Sequence, residues 1–179
     1  MMDDLLTIAR ADNLTSEQFS MVLFDSVVDN AVAQMIPQAR RHNISIDVEE
    51  YEQEIWVNAD AALLERAVVN IVSNAVKYSP EGTRVRVTTR LNSESILLEV
   101  QDQGIGIAPE MMDNLFTRFK RDAKVSKQFK GIGLGLALVS RVVTQHGGRV
   151  WASSPGQGTL ITVEIPFAFV GDYAEEEAG

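Results

Sequence analysis

The sequence predicts an α/β (α+β) two-layer sandwich in which three main helices cover one face of a mixed sheet. Two patterns support this fold class: stretches whose apolar residues recur with a helical period, and stretches in which they alternate. Length and composition agree, because 179 residues with 45% hydrophobic and 23% charged residues suit one globular domain with a sizeable core. We therefore expect a folded domain rather than a disordered chain.

The N-terminal part of the chain contains one short helix and the first main helix. Residues 1–13 have the apolar spacing of a helix but are too few to fold alone, and their apolar side implies a missing partner. A β-prone segment follows at residues 19–24. Asp25 is the predicted N-cap of a helix that runs to about His42.

Two short strands, near residues 44–48 and 55–58, lead to the second main helix. Asp60 is the predicted N-cap of this helix. One apolar stripe runs along it and consists of Leu63, Leu64, Ala67, Val68, Ile71, Val72 and Ala75. Such a stripe predicts a helix that packs against the core and leaves its other side for polar residues.

After a turn at residues 79–82, the hydrophobic period changes from helical to two. Strands are predicted near residues 85–91, 96–100, 149–153 and 159–165. A long polar loop at residues 103–130 precedes the third main helix, residues 134–146, which Gly147 and Gly148 end. Pro166 is predicted to end the last strand, and residues 171–179 are expected to form a disordered acidic tail.

Charge and residue usage exclude several classes of protein. The chain has 16 lysine and arginine residues against 25 acidic residues, and its net charge of −9 argues against nucleic-acid binding through bulk charge. It has no cysteine, which excludes disulfides and zinc–thiolate sites. No apolar run approaches the roughly 20 residues of a membrane-spanning helix. We expect a cytoplasmic domain, which a membrane anchor elsewhere in a full-length protein could tether.

Three polar residues form a row on the helix that follows Asp60. Asn70, Asn74 and Lys77 are spaced i, i+4 and i+7, so they share one helical face. One interpretation is a solvated face. The other is a site for a magnesium-bound polyphosphate, because magnesium takes oxygen ligands and lysine offers a point charge to phosphate oxygens.

Asp102 is a candidate acceptor at the floor of a pocket. It continues the alternation of the apolar row in the strand before it, so its carboxylate should lie on the buried face and require hydrogen bonds. Gly104 and Gly106 follow and allow close approach by another molecule. The alternatives are a strand end with an aspartate turn, and an acceptor for a donor such as an exocyclic amine.

A glycine-rich stretch at residues 131–136 begins the third main helix. Helix N-termini present unpaired N–H groups and partial positive charge, so glycines there let phosphate approach the backbone. A Rossmann motif does not fit, because Leu138 occupies the place of its third small residue and a polar loop precedes the stretch. The lysine of a P-loop is also missing, which leaves a phosphate cradle of another family.

Taken together and in this order, these segments resemble the catalytic ATP-binding domain of sensor histidine kinases, within the GHKL ATPase superfamily. The N box of that family is similar to residues 70–80, its first glycine box to residues 102–107, its F box to residues 115–121 and its second glycine box to residues 131–136. The match covers roughly residues 19–167. It implies the GHKL-type ATP-binding fold with a mixed five-stranded sheet, and a protein histidine kinase that uses ATP and Mg²⁺.

The resemblance implies a role for each matching residue. The nucleotide-binding set is Asn70, Asn74, Lys77, Tyr78, Asp102, Gly104, Gly106, Ile107, Phe119, Arg121, Gly131, Gly133, Leu134, Gly135 and Leu136. In such domains Asn74, assisted by Asn70, would hold the metal, and Asp102 would accept from the adenine amino group. Two positions depart from the family pattern: Lys130 stands where glycine is frequent, and Ile132 where threonine is common.

Further roles follow from the same resemblance. Lys77 and Arg121 would contact phosphate oxygens, and Tyr78 would lie against the adenine. Gly133 and Gly135 would bring backbone N–H groups to the phosphates. Phe119 is either part of this site or a hydrophobic anchor that tethers the polar loop of residues 103–130, which would form a lid over the nucleotide. No catalytic base is assigned.

The phosphoacceptor histidine is expected outside this chain. His42 and His146 are interpreted as helix C-terminal residues, where a cation is mildly favoured, and neither resembles the family's acceptor box. Residues 1–14 would then be the tail of a dimerisation and phosphotransfer helix, and residues 15–170 the catalytic domain. The implied partners are that dimerisation domain and a response regulator, and we expect the isolated chain to be a monomer.

Two alternatives to a histidine kinase domain stay open. One is another GHKL member, either an ATPase of the topoisomerase or mismatch-repair kind or an anti-sigma serine kinase. Residues 77–80 and the length of the chain favour the histidine kinase branch over it. The other alternative is a nucleotide-binding module that has lost catalysis, for which Lys130 and Ile132 argue.

Overall fold

The computed structural model describes residues 2–112, 114–117, 134–154 and 156–171. The helices in these residues are α1 (Met2–Asp12), α2 (Phe24–Arg41), α3 (Ala61–Tyr78), α4 (Pro109–Met112) and α5 (Gly135–Gln145), with a 3₁₀ turn at Ser16–Gln18. The strands are β1 (Ser20–Leu23), β2 (Ser45–Glu49), β3 (Ile55–Ala59), β4 (Arg84–Leu91), β5 (Ser95–Gln101), β6 (Arg149–Ser153), β7 (Leu160–Pro166) and β8 (Phe169–Val170).

The main sheet has five strands in the order β2-β4-β5-β7-β6. Strands β2 and β4 are parallel, whereas the other neighbouring pairs are antiparallel. In this register Val87, Val100 and Ile161 lie side by side on one face, and all three are buried. The prediction of a mixed five-stranded sheet is therefore confirmed.

Helices α2, α3 and α5 cover the buried face of this sheet, and α3 contacts both of the others. The apolar stripe predicted for α3 is buried along its whole length. The largest side chains in the core include Phe24, Leu64, Ile71 and Leu138, each at most 1% exposed. Because α3 is the central helix, its polar side is fixed relative to both neighbours by this core.

The opposite face of the sheet carries charged side chains. Arg84 pairs with Asp47 at 3.0 Å, and Arg90 pairs with Glu99 at 2.9 Å. These exposed pairs contribute little stability individually, but they keep the second face of the sheet polar. The molecule is thus a two-layer sandwich with one core, as the sequence predicted.

A second, three-stranded sheet with the order β1-β3-β8 was not predicted. The sequence indicated strands near β1 and β3, but it placed the end of the last strand at Pro166. The chain instead continues into β8, where the Ala168 N–H donates to the Trp56 carbonyl at 2.8 Å and the Gly171 N–H donates to the Glu54 carbonyl at 2.8 Å. Two residues of strand give no periodic signal, so this pairing depends on contacts far apart in sequence.

The two predicted helix caps had different outcomes. Asp60 caps α3, because its Oδ1 accepts from the Leu63 N–H at 3.0 Å. The N-cap predicted for α2 is wrong: Leu23 occupies that position without a side-chain hydrogen bond, and Asp25 lies in the first helical turn. The chain enters α2 directly from β1, which leaves no loop residue to act as a cap.

Asp25 carries an unfavourable charge in this position. Burial, followed by repulsion from Glu50, Asp29 and Glu54, raises the pKa of Asp25 to about 6. Its Oδ1 is buried and has no hydrogen-bond partner among the described residues. The ionised carboxylate therefore opposes folding at neutral pH.

We expect Asp25→Asn to stabilise the protein at pH 8. The pKa of about 6 in the folded state exceeds the ordinary value of 3.8, so the stability that the protonated group contributes is present below pH 4 and is lost as the pH rises through 6. The amide should raise the free energy of unfolding by about 1 kcal/mol at pH 8, after allowance for solvent screening, and should change it little at pH 4.

Urea unfolding at both pH values measures this effect. Glu52→Gln, which removes an exposed charge from the nearby β2–β3 loop, is the control. A lower stability of Asp25→Asn than of the wild type at pH 8 would contradict the prediction.

Candidate functional site

Helix α3 presents the predicted amide row beside its buried stripe. Asn70, Asn74 and Lys77 are all half-buried. The Asn70 Nδ2 donates to the Arg66 carbonyl at 2.8 Å, which leaves its Oδ1 for another partner. The Asn74 side chain makes no hydrogen bond within residues 2–112, 114–117, 134–154 and 156–171. The row thus offers amide oxygens that the fold itself does not use.

The C-terminal end of α3 carries Lys77 and Tyr78. The Lys77 Nζ lies 5.3 Å from the centre of the Tyr78 ring, within the range of a cation–π interaction. This contact places a positive charge and an aromatic ring side by side at one end of the amide row.

Asp102 follows β5 and is only 7% exposed, as the alternation of that strand predicted. Its Oδ1 accepts from the Gly104 N–H at 2.8 Å and from the Thr159 N–H at 3.0 Å. Burial raises the pKa of Asp102, and these two hydrogen bonds act in the opposite direction. The second oxygen, Oδ2, has no hydrogen-bond partner in the described part of the chain, so it can accept from a ligand.

Two glycines bring the other predicted segments against α3. A Cβ on Gly104 would collide with the backbone carbonyl of Tyr78, and a Cβ on Gly135 would lie 2.8 Å from the Asn70 Oδ1. The Asp102 loop therefore meets the C-terminal end of α3, and the start of α5 meets its middle. The amide row, the buried carboxylate and the start of α5 come together along one helix.

The turn between β6 and β7 supports the Asp102 loop. The Ser154 hydroxyl donates to the Gly158 carbonyl at 2.7 Å and accepts from the Ile107 N–H at 3.4 Å. Gly106 has φ +72, and a Cβ there would lie 2.6 Å from the Ser154 Oγ. Neither Ser154 nor Thr159 was among the site residues predicted from the sequence.

The remaining predicted residues are only partly described. Phe119, Arg121, Gly131 and Gly133 lie outside the described residues. Leu134 is 3% exposed and precedes α5 as its N-cap residue, without a side-chain hydrogen bond. Ile107, Gly135 and Leu136 are half-buried. The described members of the predicted set thus lie on α3, on the Asp102 loop and at the start of α5.

Clefts, acidic side chains and helix lengths are the other features that bear on function. Two small clefts, of about 220 and 380 Å³, are lined by residues outside the predicted set. Within the described residues, no group of three or more histidine, aspartate or glutamate side chains could hold a metal ion. A cation at α3 would accordingly depend on amide oxygens and on oxygens of the ligand. None of the described helices is long and apolar enough to cross a membrane.

His146 ends α5, as predicted, but the interpretation as a favoured cation is wrong. The residue is 6% exposed and its ring stacks on Phe19 with centroids 4.7 Å apart. Its Nε2 accepts from the Asp60 N–H at 3.1 Å, while its Nδ1 lies 2.8 Å from the Val142 carbonyl and donates to it. Burial lowers the pKa of His146, against the opposing effects of the Val142 hydrogen bond and the Asp60 charge. His42 is the C-cap of α2 and is exposed.

The fold and the arrangement along α3 define a class of nucleotide-binding protein. Residues 59–168 match the family described as histidine kinase-, DNA gyrase B-, and HSP90-like ATPase, and the chain belongs to this family. The resemblance stated from the sequence is thereby confirmed.

Relatives of this chain within the family include sensor histidine kinases. Sensor-like histidine kinase SenX3 from Mycobacterium tuberculosis is 39% identical over 162 residues, which cover 86% of this chain and 38% of SenX3. The structure of the mycobacterial sensor histidine kinase MprB superposes with a TM-score of 0.73 and 33% identity, covering 83% of this chain and 97% of that one. Full-length ShkA in complex with AMPPNP gives a TM-score of 0.79 and 28% identity, covering 95% of this chain and 36% of that one.

These relatives belong to the histidine kinase branch of the family, which is the branch that the sequence predicted. The chain spans less than two-fifths of the length of SenX3. The activity and partners of a whole kinase are thus a matter of proposal for this chain.

We expect His146 to titrate below its ordinary pKa of 6.5, because burial disfavours the imidazolium. Protonation would also replace the lone pair that accepts from the Asp60 N–H with a second donor. NMR measures this pKa from the chemical shifts of the His146 ring protons as the pH changes. The signals are assigned by comparison with the His42→Gln variant, in which His146 is the remaining histidine. A midpoint at or above 6.5 would contradict the neutral, buried imidazole.

Proposed function

We propose that this chain is the ATP-binding catalytic domain of a two-component sensor histidine kinase, which donates the γ-phosphate of ATP to a histidine outside this chain. The observation that carries the proposal is the meeting of three segments along α3: the amide row, Asp102 and the start of α5. Membership of the ATPase family and the AMPPNP bound by ShkA support it.

Asp102 is the proposed determinant of adenine recognition. Its Oδ1 is occupied by two backbone N–H groups, so Oδ2 would accept from the exocyclic amino group of adenine. Guanine has a carbonyl oxygen at the corresponding position, and two acceptors would then face each other in a buried site. The pocket should therefore prefer ATP to GTP, since an unpaired buried polar group is costly. Tyr78 would lie against the base.

The amide row is the proposed site of the metal and the phosphates. Neutral amide oxygens fit Mg²⁺ that also binds phosphate oxygens, because they add no negative charge beside a polyanion. Asn74 and Asn70 would hold the ion, and Lys77 would offset phosphate charge. When bound, Mg²⁺ would neutralise charge on the β- and γ-phosphates.

The remaining residues would position the nucleotide rather than react with it. The N-terminus of α5 at Gly135 offers backbone N–H groups to phosphate, and the close contact with Asn70 puts them beside the amide row. Gly104, Gly106 and Ile107 shape the loop around the base. The roles implied for Phe119, Arg121, Gly131, Gly133, Leu134 and Leu136 belong to this proposal. Positioning and charge neutralisation suffice for phosphoryl transfer of this kind.

The proposed partners follow from the family. The acceptor would be a histidine on a dimerisation and phosphotransfer domain, of which α1 is the proposed tail, and a response regulator would receive the phosphoryl group from it. We propose that the chain alone is a monomer. Its use of ATP supports a cytoplasmic location for this domain.

We expect Asn74→Ala to weaken Mg²⁺–ATP binding about ten-fold or more, because it removes an oxygen that contacts a charged group. Isothermal titration calorimetry with and without Mg²⁺ measures this loss, and the dependence of affinity on Mg²⁺ should fall with it. Asn30→Ala removes an exposed asparagine from α2 and is the matched control. Equal affinity of the wild type and Asn74→Ala, or no binding by the wild type, would overturn the assignment.

We expect the wild-type chain to transfer the γ-phosphate to a histidine when it is mixed with ATP, Mg²⁺ and the dimerisation hairpin of its own full-length protein. The product should be an acid-labile phosphohistidine on the hairpin, formed far more slowly by Asn74→Ala. Normal nucleotide binding without transfer would instead favour a nucleotide-binding module that has lost catalysis. Appreciable steady-state ATP hydrolysis by the chain alone would favour another ATPase of the family.

A further inference from the structure

Helices α3 and α5 form an antiparallel pair that packs through the core and has a polar or close contact at two points, one near each end of α5. At one point Gly135, the first residue of α5, packs against the Asn70 side chain in the proposed nucleotide site. At the other, His146 at the end of α5 accepts from the backbone N–H of Asp60 at the start of α3. The two points are ten residues apart on α3, or about 15 Å of helix. A movement at the second point can therefore reach the first through two rigid helices.

Asp60 makes three interactions at this second point. Its N–H donates to the His146 Nε2 at 3.1 Å, and its Oδ1 accepts from the Leu63 N–H at 3.0 Å. Its Oδ2 accepts from the Arg10 Nη2 of α1 at 2.7 Å. Asp60 is only 8% exposed, whereas Arg10 is 59% exposed. The negative charge of the buried Asp60 is thus paired with Arg10, a side chain of the surface helix α1.

We propose that Arg10, Asp60 and His146 form a clamp that couples the docking of α1 to the nucleotide affinity of the site on α3 and α5. This inference rests on the proposed function of that site. Arg10 and Asp60 are positioning residues in it, because neither lies in the amide row, the Asp102 loop or the start of α5. The geometry makes α1 the one surface helix among the described elements that contacts the N-cap of α3 through a charged side chain.

The physical basis is the cost of leaving Asp60 without Arg10. If α1 moves away, the Asp60 Oδ2 keeps its negative charge in a buried position and loses its cationic partner. That cost favours water entry or a rotation of Asp60, which would disturb the Leu63 cap and the hydrogen bond to His146. Either change loosens the alignment of α3 with α5, on which the Asn70–Gly135 contact depends.

Helix α1 has a second anchorage, which lies mainly on α5. Asp12 pairs with Arg141 on α5, and Ala11 is fully buried in the core. This anchorage holds α1 on α5 when the Arg10 contact is removed. The Arg10 contact can accordingly be tested without detaching the helix.

We expect Arg10→Ala to weaken Mg²⁺–ATP binding by roughly two- to five-fold, the range of a partly exposed ion pair. Arg10→Lys should restore most of the affinity. Asp60→Asn keeps a cap oxygen and the N–H but loses the charge, so the double variant with Arg10→Ala should bind no more weakly than the worse single variant. Arg84→Ala removes an arginine as exposed as Arg10, whose partner Asp47 is itself exposed on the far face of the sheet, and controls for the loss of positive charge.

Coupling must also act in the reverse direction. Mg²⁺–ATP should slow amide hydrogen exchange in α1 of the wild type and slow it less in Arg10→Ala, because linkage between two sites is reciprocal. A purely structural role for Arg10 would lower thermal stability without this ligand-dependent protection.

The outcomes separate this inference from the function on which it rests. If the wild type binds nucleotide and Asn74→Ala does not, but Arg10→Ala binds as tightly as the wild type, the clamp is overturned and the function stands. Equal losses in Arg10→Ala and Arg84→Ala would also overturn the clamp. No binding by the wild type would overturn both. Should Asp60→Asn fail to fold, the exposed Arg10 variants still decide the question.

Discussion

The structure depends on the approach of two other segments to one helix. Helix α3 buries one side in the core, and the other side can serve a ligand only if the Asp102 loop and the start of α5 come close to it. Gly104 and Gly135 permit these contacts. A Cβ on Gly104 would strike the Tyr78 carbonyl, and a Cβ on Gly135 would strike the Asn70 side chain. The same helix therefore supplies both the centre of the core and one wall of the candidate site.

The electrostatics of the site are local and oppose the charge of the whole chain. A protein with a net charge of −9 does not attract a polyphosphate through its overall field. Amide oxygens, one lysine and the N-terminus of a helix act only at short range, where neutral ligands for a cation avoid repulsion from phosphate. Asp102, one of two buried aspartates among the described residues, lies on the loop at the Tyr78 end of α3, and its Oδ1 already accepts from two N–H groups. Charge is thus distributed so that the acceptor for the base and the donors for the phosphates lie at different places along α3.

The sequence predicted the features that repeat within a few residues. The stripe of α3, the alternation of β5 and the burial of Asp102 are all local periodicities, and the structure agrees with each. The sequence did not predict β8, the N-cap position of Leu23 or the roles of Ser154 and Thr159. These features depend on strand pairings and hydrogen bonds between residues far apart in the chain. The charge expected on His146 was wrong for the same reason. The helix end favours a cation, but burial of this ring, which stacks on Phe19, disfavours the imidazolium more strongly.

Asp25 and Asp60 show that a buried carboxylate can either oppose folding or hold its hydrogen-bond partners in one geometry. Asp25 begins α2 among other acidic residues and has no hydrogen bond on Oδ1 within the described residues, so its charge only opposes folding. Asp60 begins α3 and has a partner for each oxygen and for its N–H, and these partners come from α3 itself, α5 and α1. A fully paired buried charge holds its partners in one geometry, because losing any of them leaves the rest uncompensated. The helix that carries the amide row consequently begins at a residue that is bonded within α3, to the end of α5 and to α1.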